Sequence, residues 1–137
     1  MIPKGRIYYK KTSHTVKGTL SKMKTLPTGH VPVLDEEGRV CGVFTALSFL
    51  HIIADKKGKN LGSDYTFEDA GDYISLDFHD SEVYRFVSGS LYVDELKNIF
   101  EQTYSGGKRL AMVFVTSNGK ESGKLQGIIS PWDVLGK

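Results

Sequence analysis

The sequence points to an α+β fold in which two β-α-β-β-α repeats pack about a pseudo-twofold axis. Self-similarity is the first reason. VPVLDEEGRVCGVFTALSFL (31–50) aligns with VFVTSNGKESGKLQGIISPWDVL (113–135), and both read as strand, polar turn, strand and helix. Gly42 falls on Gly127, Thr45 on Ser130 and Leu50 on Leu135 at an offset of 85, while Val33 falls on Val115 at an offset of 82, which gives the second turn three extra residues. The second reason is that a run with apolar residues at helical spacing precedes each hairpin.

Taken in order, RIYYK (6–10) is the candidate opening strand, and TVKGTLSKMKT (15–25) forms a helix with Val16, Leu20 and Met23 on one face. Ser13 or Thr15 supplies its N-cap. The hairpin VPVL/DEEG/RVCGVF follows, then the helix ALSFLHIIADK. Residues 56–84 are polar and glycine-bearing, a connection with a short helix at TFEDAGDY. VYRFVS (83–88) opens the second copy, and LYVDELKNIFEQTY (91–104) aligns Leu91, Val93, Leu96, Ile99 and Phe100 as a helix that Ser90 caps. The turn SNGKESGK is rich in the residues tight connections need. The last helix, PWDVLGK, opens at Pro131, where a missing N–H costs least. Repeats are therefore expected at 5–56 and 84–137, joined by 57–83. A hairpin and two helices bury little alone, so the copies should share their apolar faces and leave a cleft between them.

Composition bounds the function. In 137 residues, 39% are hydrophobic and 25% charged, enough for a packed core. Eighteen Lys and Arg against sixteen Asp and Glu leave +2, with no long block of either sign; nucleic acid is not favoured as a partner. The one cysteine, Cys41, excludes an intrachain disulfide and reads as a small buried hydrophobe. The absence of a membrane-length apolar run or a secretory h-region leads to the expectation of a cytoplasmic chain without membrane contact. Four histidines with no two at i, i+4 spacing suggest no metal site. SGGKR and GKESGKL miss the phosphate-loop spacing, and no nucleophile elbow or acid–base pair suggests an enzyme.

HVPVLDEEGRVCGVFT and MVFVTSNGKESGKLQGIIS resemble the repeats of tandem CBS (cystathionine β-synthase) domain pairs, the Bateman-type module, over nearly the whole chain. The resemblance implies that Gly-x-apolar-Ser/Thr-x-x-Asp holds an adenosine nucleotide, and Gly127, Ile129, Ser130 and Asp133 satisfy that pattern. A carboxylate can accept from both vicinal ribose hydroxyls, and a nearby serine can donate or accept. Without the repeat, Ser130 and Asp133 would read only as a helix cap and a first-turn acid. The resemblance further implies adenine contacts at Val87, Ser88 and Gly89, with Ile128 and Ile129 packing on the base, and phosphate contacts at Lys108, Arg109 and His30. The first copy keeps Thr45 but has Ser48 where the carboxylate belongs, a degenerate second site.

The expected function is a non-catalytic regulatory module. It binds AMP, ADP, ATP, S-adenosylmethionine or an adenine dinucleotide between the repeats, requires no cofactor, and acts as an energy or metabolite sensor. CBS pairs associate through helices into flat dimers, and the apolar ALSFLHII and PWDVL suit a homodimer. The alternative is a dimerisation or protein-interaction module with no bound nucleotide.

Overall fold

The computed structural model describes residues 2–26, 29–55, 62–79, 82–90, 93–105 and 109–130. They form two compact units, one of residues 8–78 and the other of residues 1–7 together with 79 onward.

In the first unit, β2 (Lys10–Lys11) runs parallel to β3 (Val31–Leu34), which pairs antiparallel with β4 (Val40–Phe44). Helix α1 (Lys17–Met23) connects β2 to β3, and α2 (Ala46–Asp55) follows β4. Pro32 sits in the middle strand of this sheet, although proline cannot donate to a ladder. It is tolerated because β2 pairing starts one residue later, at Val33. The opening strand lies at Lys10–Lys11 rather than over residues 6–10, since the ring of Tyr8 packs against the core.

That core gathers Val16, Val31, Val33, Phe44 and Ile52 with Tyr65, Phe67, Ala70 and Ile74, while Leu20 and Met23 pack on its margin. The short helix expected within the connection is α3 (Phe67–Ala70) followed by a 3-10 turn at Gly71–Ile74. Thr66 and Asp69 form the reciprocal capping box of α3, and the Phe67 ring meets Phe44 edge-on at 5.3 Å. The segment is thus core material. Neither Ser13 nor Thr15 caps α1: its N-cap residue is Val16, which makes no side-chain cap, and its amide donates to the Tyr65 carbonyl at 2.9 Å. Cys41 is exposed on β4 instead of buried, with its thiol donating to the Val33 carbonyl at 3.2 Å.

The second unit repeats the plan. β5 (Glu82–Ser88) lies parallel to β6 (Arg109–Thr116), α4 (Val93–Ser105) joins them, and β7 (Leu125–Ile129) returns antiparallel to β6. β1 (Ile2–Pro3) pairs antiparallel with β7, so the order is β1-β7-β6-β5. Leu96 and Phe100 of α4 pack on Val87, Leu110, Val113 and Val115. The helix expected after Ile129, like Leu91, falls outside the described residues.

Register confirms the internal alignment residue by residue. Val33 faces Gly42 and Val115 faces Gly127; Val31 faces Phe44 and Val113 faces Ile129. Each hairpin also has its irregularity at the next step, Val33/Leu34 and Val115/Thr116. Because a slip of one residue would turn every side chain to the other face, this agreement places Thr45 and Ser130 at equivalent strand ends.

Candidate functional site

In the second unit β7 carries Gly127, Ile128 and Ile129 opposite Val115, Phe114 and Val113, and Ser130 comes next. Ser130 is 6% exposed and its counterpart Thr45 is 8% exposed, so both hydroxyls are withdrawn from bulk water. Buried hydroxyls need partners, and the two ends can therefore be compared by what they bond.

At the first end the bonding is internal. Thr45 Oγ1 accepts from the Ser48 amide at 3.2 Å, and Ser48 Oγ accepts from the Thr45 amide at 3.2 Å. The two hydroxyl oxygens stand 3.3 Å apart. This reciprocal pairing satisfies amides at the start of α2, as a capping box does. Ser48 is fully buried. The residue aligned with the carboxylate position is thus committed to closing its own helix.

Strand alternation sorts the remaining candidates. Ile128, opposite Phe114, lies on the face that also carries Phe86, whose ring is 5.3 Å from Phe114. Ser130, two residues on, falls on that face by the same alternation. Ile129 belongs to the opposite face, packed against the α4 core, and Val87 is part of that core as well. Val87, Ser88 and Gly89 sit at the end of the sheet where β7 begins, because β5 and β6 are parallel and β7 is antiparallel. Ser130 lies beyond the Ile129–Val113 pair, three to five residues away along the strands, or about 10 to 16 Å. The unit brings Ser130 and Ile128 together, and it keeps Val87, Ser88 and Gly89 apart from them.

β5 is nevertheless an edge strand, and an edge presents main-chain groups that no sheet neighbour uses. Ser88 Oγ is 2.9 Å from Ser90 Oγ. Gly119, at φ +75°, brings the β6–β7 turn against this corner so closely that a Cβ there would stand 3.1 Å from the Ser88 amide nitrogen. An added Cβ at Gly89 would meet Gln126 Oε1 and Val115 Cγ1 at 3.9 Å, an ordinary van der Waals contact, so the corner admits a small side chain without strain.

Of the basic candidates, Arg109 is exposed at the start of β6, with Nη2 3.6 Å from Glu82 Oε2 on the neighbouring strand. His30 is half-buried directly before β3 in the other unit. Asp133 and Lys108 lie outside the described residues. Cys41 is no nucleophile: although the residue is exposed as a whole, partial desolvation of its thiol first, and the Asp35 charge second, push the thiol up to about 11, which keeps it protonated at neutral pH.

The sequence of residues 11–55 matches the family model of the CBS domain. No curated protein matches the chain. Among solved structures, a CBS domain protein from Streptococcus pneumoniae TIGR4 is similar at TM-score 0.68 and 13% identity, over 98% of this chain and 76% of that one. CBSX2 in complex with AMP is similar at TM-score 0.64 and 19% identity, over 98% and 89%. CbpB in complex with c-di-AMP is similar at TM-score 0.68 and 12% identity, over 99% and 79%. At these identities the likeness is one of fold.

Proposed function

We propose that this chain, which carries a CBS domain at residues 11–55 and shares the fold of solved CBS-domain proteins over its length, is a regulatory module binding an adenine nucleotide or adenosyl compound between its repeats. Those repeats are 5–56 and 84–137, joined by 57–83. The observation that carries this reading is the matched strand end: Gly127, Ile128 and a buried Ser130 stand in the register that Gly42, Val43 and Thr45 occupy, and only the second copy follows with an aspartate, Asp133. That CBSX2 and CbpB are solved with AMP and c-di-AMP supports an adenine ligand for a chain of this fold.

In this reading Ser130 and Asp133 hold the ribose, Ile128 packs on the ligand, and Arg109, Lys108 or His30 meets phosphate. Arg109 must exchange its contact with Glu82 for the phosphate, and at 3.6 Å from an exposed guanidinium that contact is long. Ile129, Val87, Ser88 and Gly89 keep their assigned adenine role only if the ligand spans the sheet or a second adenine binds at the β5 edge. The module carries no catalytic step and resides in the cytoplasm. It signals because a ligand that favours one arrangement of its parts shifts the population toward it.

A second reading, a dimerisation module, is favoured by one feature. Leu47 and Leu50 of α2 are 51% and 61% exposed, the two large hydrophobic residues left open among those described.

Thermal unfolding with millimolar AMP, ADP, ATP, S-adenosylmethionine, NAD and cyclic di-AMP, against guanosine nucleotides, tests the proposal. A ligand at about 100 times its dissociation constant adds about 2.7 kcal/mol and raises the midpoint by several degrees. A rise with an adenosine compound that disappears in Asp133→Ala is the expected result. No rise with any compound sinks the sensor and leaves the dimerisation module.

A further inference from the structure

The first 34 residues hold seven Lys and Arg and no Asp or Glu. Five of these cations, Lys10, Lys11, Lys17, Lys22 and Lys24, belong to the first unit. Residues 35–78 of that unit reverse the sign, with nine carboxylates against four cations, so its sum is neutral while its opening is strongly basic. Among the described residues none of the five lysines lies in an ion pair.

Two of them converge on an aromatic ring instead. Lys10 Nζ stands 5.3 Å from the centroid of Tyr8 and Lys22 Nζ 5.8 Å from it, which puts the two ammonium groups within about 11 Å of each other. The electron-rich ring face attracts a cation without neutralising it. Tyr8 is itself anchored, packed against the core. Lys10 is fixed by β2, where it lies opposite Val33, and Lys22 by the last turn of α1. These positive charges are thus held by packing and by a ring, and their charge stays available. Glu68, whose amide donates to the Thr12 carbonyl at 3.0 Å, marks the border of the face beside Lys11. Asp35, bound to Arg39 at 2.8 Å, marks it after β3.

We propose that this β2–α1 face is a docking surface for the phosphate backbone of nucleic acid. A strand presents a negative charge about every 3.4 Å along a helix axis, so Lys10 and Lys22, within about 11 Å of each other, reach across about three successive phosphates while Lys11, Lys17 and Lys24 add to the positive field, where a lone nucleotide would use two at most. A lipid surface fits less well. Charge alone attracts a basic face to anionic lipid only weakly per cation, firmer adsorption draws on apolar side chains inserted beside the cations, and the exposed large hydrophobic residues among those described, Leu47 and Leu50, are both on α2. The inference is independent of the adenosine reading, since it uses none of the residues assigned there.

Fluorescence anisotropy of the full chain with a fluorescein-labelled single-stranded DNA tests it. Binding is expected at 50 mM salt and should weaken with salt at a log–log slope of about −2 or steeper, corresponding to three or more phosphates. Lys10→Glu/Lys22→Glu should weaken it at least tenfold. Lys97→Glu/Lys124→Glu makes the same change of charge at two exposed residues of the second unit and should weaken it less than threefold. If the first pair fails to fold, the exposed Lys17→Gln/Lys24→Gln takes its place with a loss in the same direction. The proposal is overturned by no binding at 50 mM salt, by equal losses in the two charge-reversed pairs, or by capture on phosphatidylserine vesicles without any affinity for the oligonucleotide.

Discussion

The two hairpin ends of this molecule share register, burial and a terminal hydroxyl, and differ in what the third residue of the following segment is. In the first, Thr45 and Ser48 satisfy each other and close α2. In the second, Ser130 is followed by Pro131 and Asp133. A neutral hydroxyl suits a capping box and remains buried at no electrostatic cost. A carboxylate at the equivalent place must find hydrogen bonds or a partner, because burying it alone is expensive. The comparison teaches that one register can serve two different ends: the first closes its own helix through Thr45 and Ser48, and the second is followed by Asp133, the residue to which the proposed function gives the ribose.

The most disruptive way to break that comparison is to make the ends alike. Ser48→Asp places a carboxylate at a fully buried position whose observed side-chain partners are both atoms of Thr45. An uncompensated buried charge costs about 3 to 5 kcal/mol, so the substitution should lower stability by about 3 kcal/mol in urea unfolding and create no second binding site. A second ligand bound with unchanged stability would mean that the Ser48 position is open to ligand.

Removing the acid at the other end gives a smaller, purely functional effect. A hydrogen bond to a charged group contributes about 1.5 to 3 kcal/mol, so Asp133→Ala should weaken adenosine-ligand affinity by about tenfold to a hundredfold in calorimetry. Ser48→Ala should leave that affinity unchanged while costing about 1 kcal/mol of stability, the usual loss with a helix cap. Equal affinity losses in the two variants would show that both ends bind.

Much of this was legible in the residues. The spacings 82 and 85, read from Val33, Gly42, Val115 and Gly127, reproduce the strand pairings because a half-buried strand tolerates no slip. Apolar periodicity identified Val16, Leu20, Met23, Leu96 and Phe100 as packing positions for the same reason. Periodicity could not reveal that Tyr65–Ile74 joins the first core, because those apolar residues follow a turn, a four-residue helix and a 3-10 turn in quick succession. Nor could a motif tell which face Ile128 and Ile129 take, since both are apolar and only the pairing register separates them. The Tyr8–Lys10–Lys22 grouping escaped a search for blocks of like charge. Its signal was the absence of acids before Asp35.

The hairpin turns extend the comparison to its smallest effect. The first turn is organised by a carboxylate: Asp35 accepts from the Glu37 and Arg39 amides at 2.9 Å each and from the Arg39 guanidinium at 2.8 Å. The second is organised by the neutral Asn118, which accepts from the Lys120 amide at 2.9 Å and donates to Ser122 at 3.0 Å. Desolvation works to raise the Asp35 carboxyl, but the Arg39 amide and guanidinium and the Glu37 amide outweigh it and hold the group below its usual 3.8. A depressed carboxyl stabilises the fold above its unfolded value and loses that contribution as pH falls through the folded one. Asp35→Asn should therefore lower the midpoint slightly at pH 7, by under about 1 kcal/mol for so exposed a pair, and the gap should close as pH drops below 3.8. Asn118→Ala should show a gap that does not change with pH over the same range, since the amide does not titrate. A gap for Asp35→Asn that persisted unchanged into acid would mean that turn geometry, rather than charge, distinguishes the two hairpins.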